Sequence, residues 1–250
     1  MADAAAGAAS PRGTRPPVRP PLVFVDDLDA PRLTDDDAHH LRRVLRVRDD
    51  DVVTVADGHG AWRPARFAAG APVPIGDVVV EPEPTPPITI AFAIVKGDKP
   101  ETVVQKLTEL GADRIVPFVA ARSVVRWDDD KAQRNVARLR KVVREAAMQC
   151  RRARLPHVDP VTPFADLVRG ELAAGLALAD FDGVAPTLAH TTVAIGPEGG
   201  WTDEERVVVP TKVVLSPHVL RAETAAITAC ALLAAQRAAL VPGDGHRATG

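Results

Sequence analysis

Residues 196–205 read GPEGGWTDEE, and the reading of this stretch decides the fold. Taken alone, Gly196, Pro197, Gly199 and Gly200 are chain punctuation, the commonest way to end a strand. The flanks say more. Upstream, TTVAIG (191–196) is a short apolar run of β-branched residues, the pattern of a buried strand. Downstream, Thr202 and Glu205 have the spacing of a capping box, which predicts a helix starting there. A glycine-rich link from the C-terminal end of a buried strand to a helix N-terminus is where α/β folds place ligands. No Gly-Lys-Ser/Thr follows, so this is not a P-loop, and the spacing is not the G-x-G-x-x-G of a dinucleotide site.

Outward from this point the elements alternate. ITIAFAIV (88–95), RIVPFVA (114–120), LALAD (176–180) and TKVVLS (211–216) read as strands. PETVVQKLTELG (100–111) reads as a helix with Pro100 in its first turn and Gly111 as its stop. Further helices are expected over 129–152, about 164–174 and 222–240. Alternating strands and helices predict a mostly parallel α/β sheet covered on both faces. The first third of the chain differs. PLVFVDDL (21–28) and DVVTVADGHGAWRPARF (51–67) suggest short strands and a hairpin turning at DGHG. A short helix begins at Thr34, with Asp35, Asp36 and Asp37 favourably placed in its first turn. The expected organisation is a disordered tail (1–19), a small β-barrel-like domain (20–82), a proline-rich linker (83–87), an α/β domain (88–242) and a tail (243–250).

The chain has 250 residues, 46% hydrophobic and 26% charged, enough for a real core. Its two cysteines, Cys150 and Cys230, stand far apart without a C-x-x-C, so neither a disulfide framework nor a metal site is indicated. Both read as small buried hydrophobes. No apolar run approaches the roughly 20 residues of a membrane span, and no signal peptide is evident. The reading is a soluble cytoplasmic protein.

A net charge of −2 hides a segregated distribution. On a helical wheel Val136, Leu139, Val143, Ala146 and Cys150 share one face of the 129–152 helix. Lys131, Arg134, Arg138, Lys141, Arg144 and Arg152 fall on the other side. Between 131 and 154 nine Lys or Arg oppose one acid, Glu145, where a merely solvated helix tends to mix signs. LRRVLRVR (41–48) is a second basic element. Together they make a nucleic acid the leading partner, with His40, Arg42, Arg43 and Arg46 on the barrel's RNA-facing surface or on a plain solvated helix. The chain has no Tyr, so backbone and shape contacts should dominate over base stacking.

The other unusual segment is LSPHVLRAETAAITA (215–229), a strand end, a turn and a helix start. Two strand-to-helix loops, 196–201 and 215–221, would then face each other at the sheet's edge. Their backbones suit an adenosine group or a sulfonium-bearing amino acid, which needs hydrogen bonds and an apolar slot more than charge.

GPEGG followed by LSPHVLRAETAA resembles the two signature loops of the SPOUT class of S-adenosylmethionine-dependent RNA methyltransferases, and specifically the family of the ribosomal RNA small-subunit methyltransferase E. HHLRRVLR (39–46), KGDKPETVVQKLTELG (96–111) and REAAMQCRRARLP (144–156) are similar to further motifs of that family, in the same order, over roughly residues 20–240. The resemblance implies a PUA-like barrel before an α/β domain with a C-terminal trefoil knot. It implies a homodimer that methylates N3 of a single uridine of 16S ribosomal RNA in the assembled 30S subunit, with neither DNA nor membrane as partner. Where the family most often has Leu-Gly-x-Arg before Ile-Leu-Arg, this chain has Leu215-Ser216-Pro217-His218 before Val219-Leu220-Arg221.

Carried onto this sequence, the cofactor pocket is expected from Ile195, Gly196, Pro197, Glu198 and Gly199 with Leu215, Ser216, Pro217, Val219, Leu220 and Arg221. N3 of uridine carries a proton, so the reaction needs a base or an oxyanion stabiliser. Glu198 and Glu223 are candidate bases, and Arg221 a candidate partner for the O2 or O4 anion. Three rivals stay open: methylation of another RNA nucleotide, a non-catalytic ribosome assembly factor, and a nicotinamide-linked oxidoreductase, the last disfavoured by the missing G-x-G-x-x-G.

Overall fold

Short β-branched runs and tight turns build the first third of the chain. The computed structural model describes residues 20–95 and 99–241; the two expected tails and residues 96–98 of the KGDKPETV motif lie outside the described residues. The first unit comprises β1 (Leu22–Phe24), α1 (Asp35–His39), β2 (Val52–Ala56), β3 (Ala61–Ala68), β4 (Ala71–Pro74) and β5 (Val79–Val80). They form one sheet in the order β1-β2-β3-β4, with β5 also on β3. The β1–β2 pairing is parallel and the others are antiparallel. Thr34 caps α1, its hydroxyl accepting from the Asp37 amide at 3.1 Å, and the helix runs on into a π-helical turn over His40–Val44. The DGHG turn joins β2 to β3 as expected. Asp57 Oδ1 accepts from the amides of His59 and Ala61, and Gly58 and Gly60 take φ of +81° and +104°.

The second unit comprises β6 (Thr89–Ala93), α2 (Lys99–Leu110), β7 (Arg114–Val119), α3 (Asp129–Cys150), β8 (His157–Val158), β9 (Thr162–Pro163), α4 (Phe164–Leu167), β10 (Leu176–Val184), β11 (Thr192–Ile195), α5 (Asp203–Val208), β12 (Lys212–Val213) and α6 (Ala222–Arg237). The sheet runs β12-β10-β11-β6-β7-β8, with β9 also on β7, and every pairing is parallel. One face packs Ile90, Phe92, Leu107, Leu139 and Leu233 beneath α2, α3 and α6. The other holds Phe118, Phe164, Leu178 and Trp201. No helix among the described residues is long and apolar enough to cross a membrane.

Four local expectations need correction. The helix expected over 164–174 breaks at Gly170, leaving α4 and a separate 3-10 turn over Glu171–Gly175. LALAD continues as a strand to Val184, through a register shift against β12. TKVVLS contributes only the two residues of β12. On α3 the place next to Ala146 in the core goes to Ala147, and Cys150 is only half-buried.

The two units share packing. Leu22, Phe24 and Ala56 of the first sheet form one apolar cluster with Ala147 and Ala153. The Arg144 guanidinium lies 5.3 Å over the Phe24 ring, donates to the Phe24 carbonyl at 3.1 Å and pairs with buried Asp37 at 2.6 Å. Arg154 seats against the DGHG turn, where a Cβ on Gly60 would lie 2.4 Å from its Nη2. Arg152 points inward, donating to the Ala112 carbonyl at 2.6 Å and to Asp113 at 2.9 Å. Of the arginines expected on the RNA-facing side, Arg144 and Arg152 are thus engaged within the protein, each with a carboxylate (buried Asp37, partly buried Asp113) and a backbone carbonyl, which a helical wheel cannot reveal.

Candidate active site

The glycines of the 196–201 loop each answer a different demand. A Cβ on Gly196 would sit 2.9 Å from Trp201 Cε2. Trp201 is 2% exposed, stacks on Phe118 with 6.0 Å between ring centroids, and donates its indole N–H to the Ala179 carbonyl at 3.0 Å. Gly199 lies against Arg122, whose Nη1 donates to the carbonyls of Gly199 and Trp201. Gly200 takes φ +70°. Beyond it the expected capping box is present between Thr202 and Glu205, and the Glu205 carboxylate also accepts from the Ala121 amide at 2.9 Å. Packing and turn geometry thus account for all three glycines, while the loop's other side opens on a cavity.

The second loop, after β12, is shaped by Ser216. Its hydroxyl accepts from the His218 amide at 3.0 Å and sets the turn in place of the family's glycine. α6 then opens at Arg221 without a side-chain cap.

A cavity of about 530 Å³ lies between the loops, outside the C-terminal ends of β11 and β12 and beside Ala179–Phe181 of β10. Of the expected residues, Ile195, Gly196, Pro197, Glu198, Leu215, Ser216, Val219, Leu220 and Arg221 line it, whereas Gly199 and Pro217 do not. Glu223 stands beside it rather than on its wall. The lining also includes Lys99 at the start of α2, Asp180 and Phe181 just beyond the part of β10 that pairs with β11, Trp201, Arg206 and His218, none of which the sequence placed in the pocket. The end of the LALAD strand was the available signal for Asp180 and Phe181, because ligands in parallel sheets meet the carboxyl ends of strands.

Ion pairs order the charged wall. Lys99 Nζ lies 3.3 Å from Glu223 Oε1 and 3.6 Å from Glu198 Oε1. Burial alone would raise the Glu223 carboxyl, but its own backbone amide and Lys99 outweigh that and hold it below the usual carboxylate range. The other Glu223 oxygen is buried without a hydrogen-bond partner. Arg206 Nε donates to Asp180 at 2.7 Å, which raises the guanidinium further above its ordinary value.

On the outer surface, Arg42, Arg43, Arg46, Arg134, Arg138 and Lys141 are exposed and His40 half-buried. Arg42 lies 5.7 Å over the Phe67 ring. Arg138 pairs with Glu101 at 3.0 Å and Lys141 reaches Asp36 at 4.0 Å.

Residues 81–234 match an RNA methyltransferase domain family, and residues 33–70 an RNA methyltransferase PUA domain. The chain is 34% identical over 232 residues to the ribosomal RNA small subunit methyltransferase E of Mycobacterium bovis, covering 83% of this chain and 88% of that one. With the Bacillus subtilis protein of the same name it shares 31% over 239 residues, covering 85% and 92%. Among solved structures it is similar to the Neisseria gonorrhoeae ribosomal RNA small subunit methyltransferase E bound to S-adenosyl methionine, with TM-score 0.71, 28% identity, and coverage of 87% and 97%. A Legionella pneumophila putative methyltransferase in complex with the same cofactor gives TM-score 0.74, 28% identity, and coverage of 88% and 98%. Two facing loops at the carboxyl edge of a parallel sheet, a PUA domain ahead of them and these likenesses along most of the chain place it in the ribosomal RNA small subunit methyltransferase E family.

Proposed function

We propose that this chain transfers a methyl group from S-adenosylmethionine to N3 of a single uridine of 16S ribosomal RNA in the assembled 30S subunit, acting as a cytoplasmic homodimer. The observation that carries the reading is the cavity between residues 195–201 and 214–222, formed by both loops that the family resemblance singles out. Its size suits a nucleoside-sized ligand. Ile195, Leu215, Leu220 and Ala225 supply an apolar slot, and the loop backbones supply hydrogen-bonding groups.

S-adenosylmethionine brings a methyl group already activated on a sulfonium. The protein's task is then to align the target, exclude water and take the N3 proton. Glu198, more than half exposed at the cavity, is the base of this reading. Glu223, held low and paired to Lys99, serves as a fixed negative charge instead. Arg221 is the group for the O2 or O4 anion. Exposed Val207 and Val208 on α5 and Val219 beside the cavity suit burial against a second copy. The trefoil knot belongs to the same reading, supported by the return of α6 to pack on β6 and β11 in the middle of the sheet.

The test is methyl transfer to small ribosomal subunits purified from cells lacking this protein, read by nucleoside mass spectrometry. Formation of 3-methyluridine is expected. A different methylated nucleoside would keep the reaction and overturn the target. Absence of both transfer and cofactor binding would overturn the enzyme in favour of an assembly factor.

A further inference from the structure

A lysine in the first turn of a helix opposes the helix dipole, so Lys99 at the start of α2 calls for a local reason. Glu198 and Glu223 supply it. They come from two different loops, and the Lys99 ammonium lies within 3.6 Å of a carboxylate oxygen on each. Around the cavity the ionised side chains balance, with Lys99, Arg206 and Arg221 set against Asp180, Glu198 and Glu223. Arg206 and Asp180 satisfy each other, so the uncommitted balance rests on the other four.

We propose that Lys99 sets the charge of this cavity, offsetting Glu198 and Glu223 so that the site does not hold a cationic cofactor in preference to its neutral product. The inference rests on the proposed use of S-adenosylmethionine, which carries a sulfonium that S-adenosylhomocysteine lacks. Two unshielded carboxylates would favour the cation in the ground state. Tightening of the ground state over the transition state lowers turnover, because the positive charge at sulfur disappears as the carbon–sulfur bond breaks and the electron pair stays on sulfur. Lys99 is thus a positioning and charge-setting residue that acts through its two carboxylates.

The experiment is calorimetric titration of the folded protein with S-adenosylmethionine and with S-adenosylhomocysteine, for the wild type, Lys99→Met, Lys99→Arg and Glu198→Gln. The two ligands share their amino-acid and adenosine groups, so the affinity ratio isolates the charge at sulfur. Lys99→Met should shift the ratio roughly three- to tenfold toward S-adenosylmethionine, an effect that shrinks with added salt. Lys99→Arg should restore the wild-type ratio, and Glu198→Gln should shift it the opposite way. Equal weakening of both ligands in Lys99→Met would show a merely structural lysine and overturn the inference. If Lys99→Met does not fold, an unshifted ratio in Glu198→Gln overturns it instead. A wild type that binds neither ligand removes the cofactor reading, and this assignment with it.

Discussion

Gly196 and Trp201 compete for one volume: the space a Cβ would need at residue 196 is filled by the indole, 2.9 Å from where that carbon would lie. The ring cannot yield easily, because it stacks on Phe118, tilts against Phe164 at 5.3 Å and is hydrogen-bonded to Ala179. Gly196→Ala should therefore destabilise the fold by about 1–3 kcal/mol, the usual penalty of overpacking, and weaken cofactor binding together with it. Urea denaturation and a ligand titration check this; an unchanged midpoint would mean that the indole moves freely.

Asp113 gathers two arginines and a backbone amide. It accepts from Arg152, Arg237 and the Ile88 N–H, and the side chains of both ion pairs are at most 16% exposed. Asp113→Ala leaves two shielded cations without their anion, and should cost about 3–5 kcal/mol in thermal or urea unfolding. Arg134→Ala removes an exposed cation with no ion pair among the described residues. It should leave stability within about 0.5 kcal/mol of wild type while weakening RNA binding in a filter assay. Reversal of these two outcomes would exchange the structural and RNA-facing roles assigned along α3.

The thiols should differ in reactivity. Burial pushes Cys230 up to about 12, and it also raises the half-buried Cys150. In a mildly alkaline buffer a thiol reagent should label Cys150 slowly, and Cys230 only once denaturant is added. Labelling of both at equal rates in the native protein would show that α6 opens readily.

Glu223 makes stability depend on acid pH. Its folded carboxyl titrates below the ordinary 4.5, so its contribution is present above that value and is lost as pH falls through the lower folded value. Glu223→Gln should melt below the wild type at neutral pH, and the gap should close in acid. A gap independent of pH would show that the loss is one of shape rather than charge.

Loss of the proposed base should appear in turnover rather than in folding. Glu198 is more than half exposed, so Glu198→Gln should leave the melting temperature nearly unchanged. Single-turnover methylation should fall roughly a hundredfold or more. Full activity in this variant would return the N3 proton to another group.

Much of this architecture was legible in local pattern. The parallel strands announced themselves as short apolar runs, and the capping box at Thr202 and Glu205 and the hairpin at DGHG each follow from a few neighbouring residues. The cavity followed from the two loops that end β11 and β12. What stayed hidden was set by partners distant in the chain. A wheel shows that Arg144 and Arg152 leave the apolar stripe of α3, but not that Asp37 and Asp113 wait beside them. A glycine reads as a turn, but nothing near Gly196 says that an indole five residues on will fill its missing side chain. Lys99 became visible only when α2, α6 and the glycine loop converged.

The 22-residue α3 is tied at two points in its middle, to Asp37 of the first unit through Arg144 and to Glu101 of α2 through Arg138. Its span is roughly 33 Å at the rise of an α-helix. Because Phe24, Ala56, Ala147 and Ala153 are buried in one cluster, swinging the small sheet away from this rod would expose apolar surface to water. Under the proposed function the molecule then works as a gauge. An RNA gripped by the arginines at 42–46 offers the cavity only the nucleotide lying at the set reach, so the choice of target is made by length as well as by chemistry.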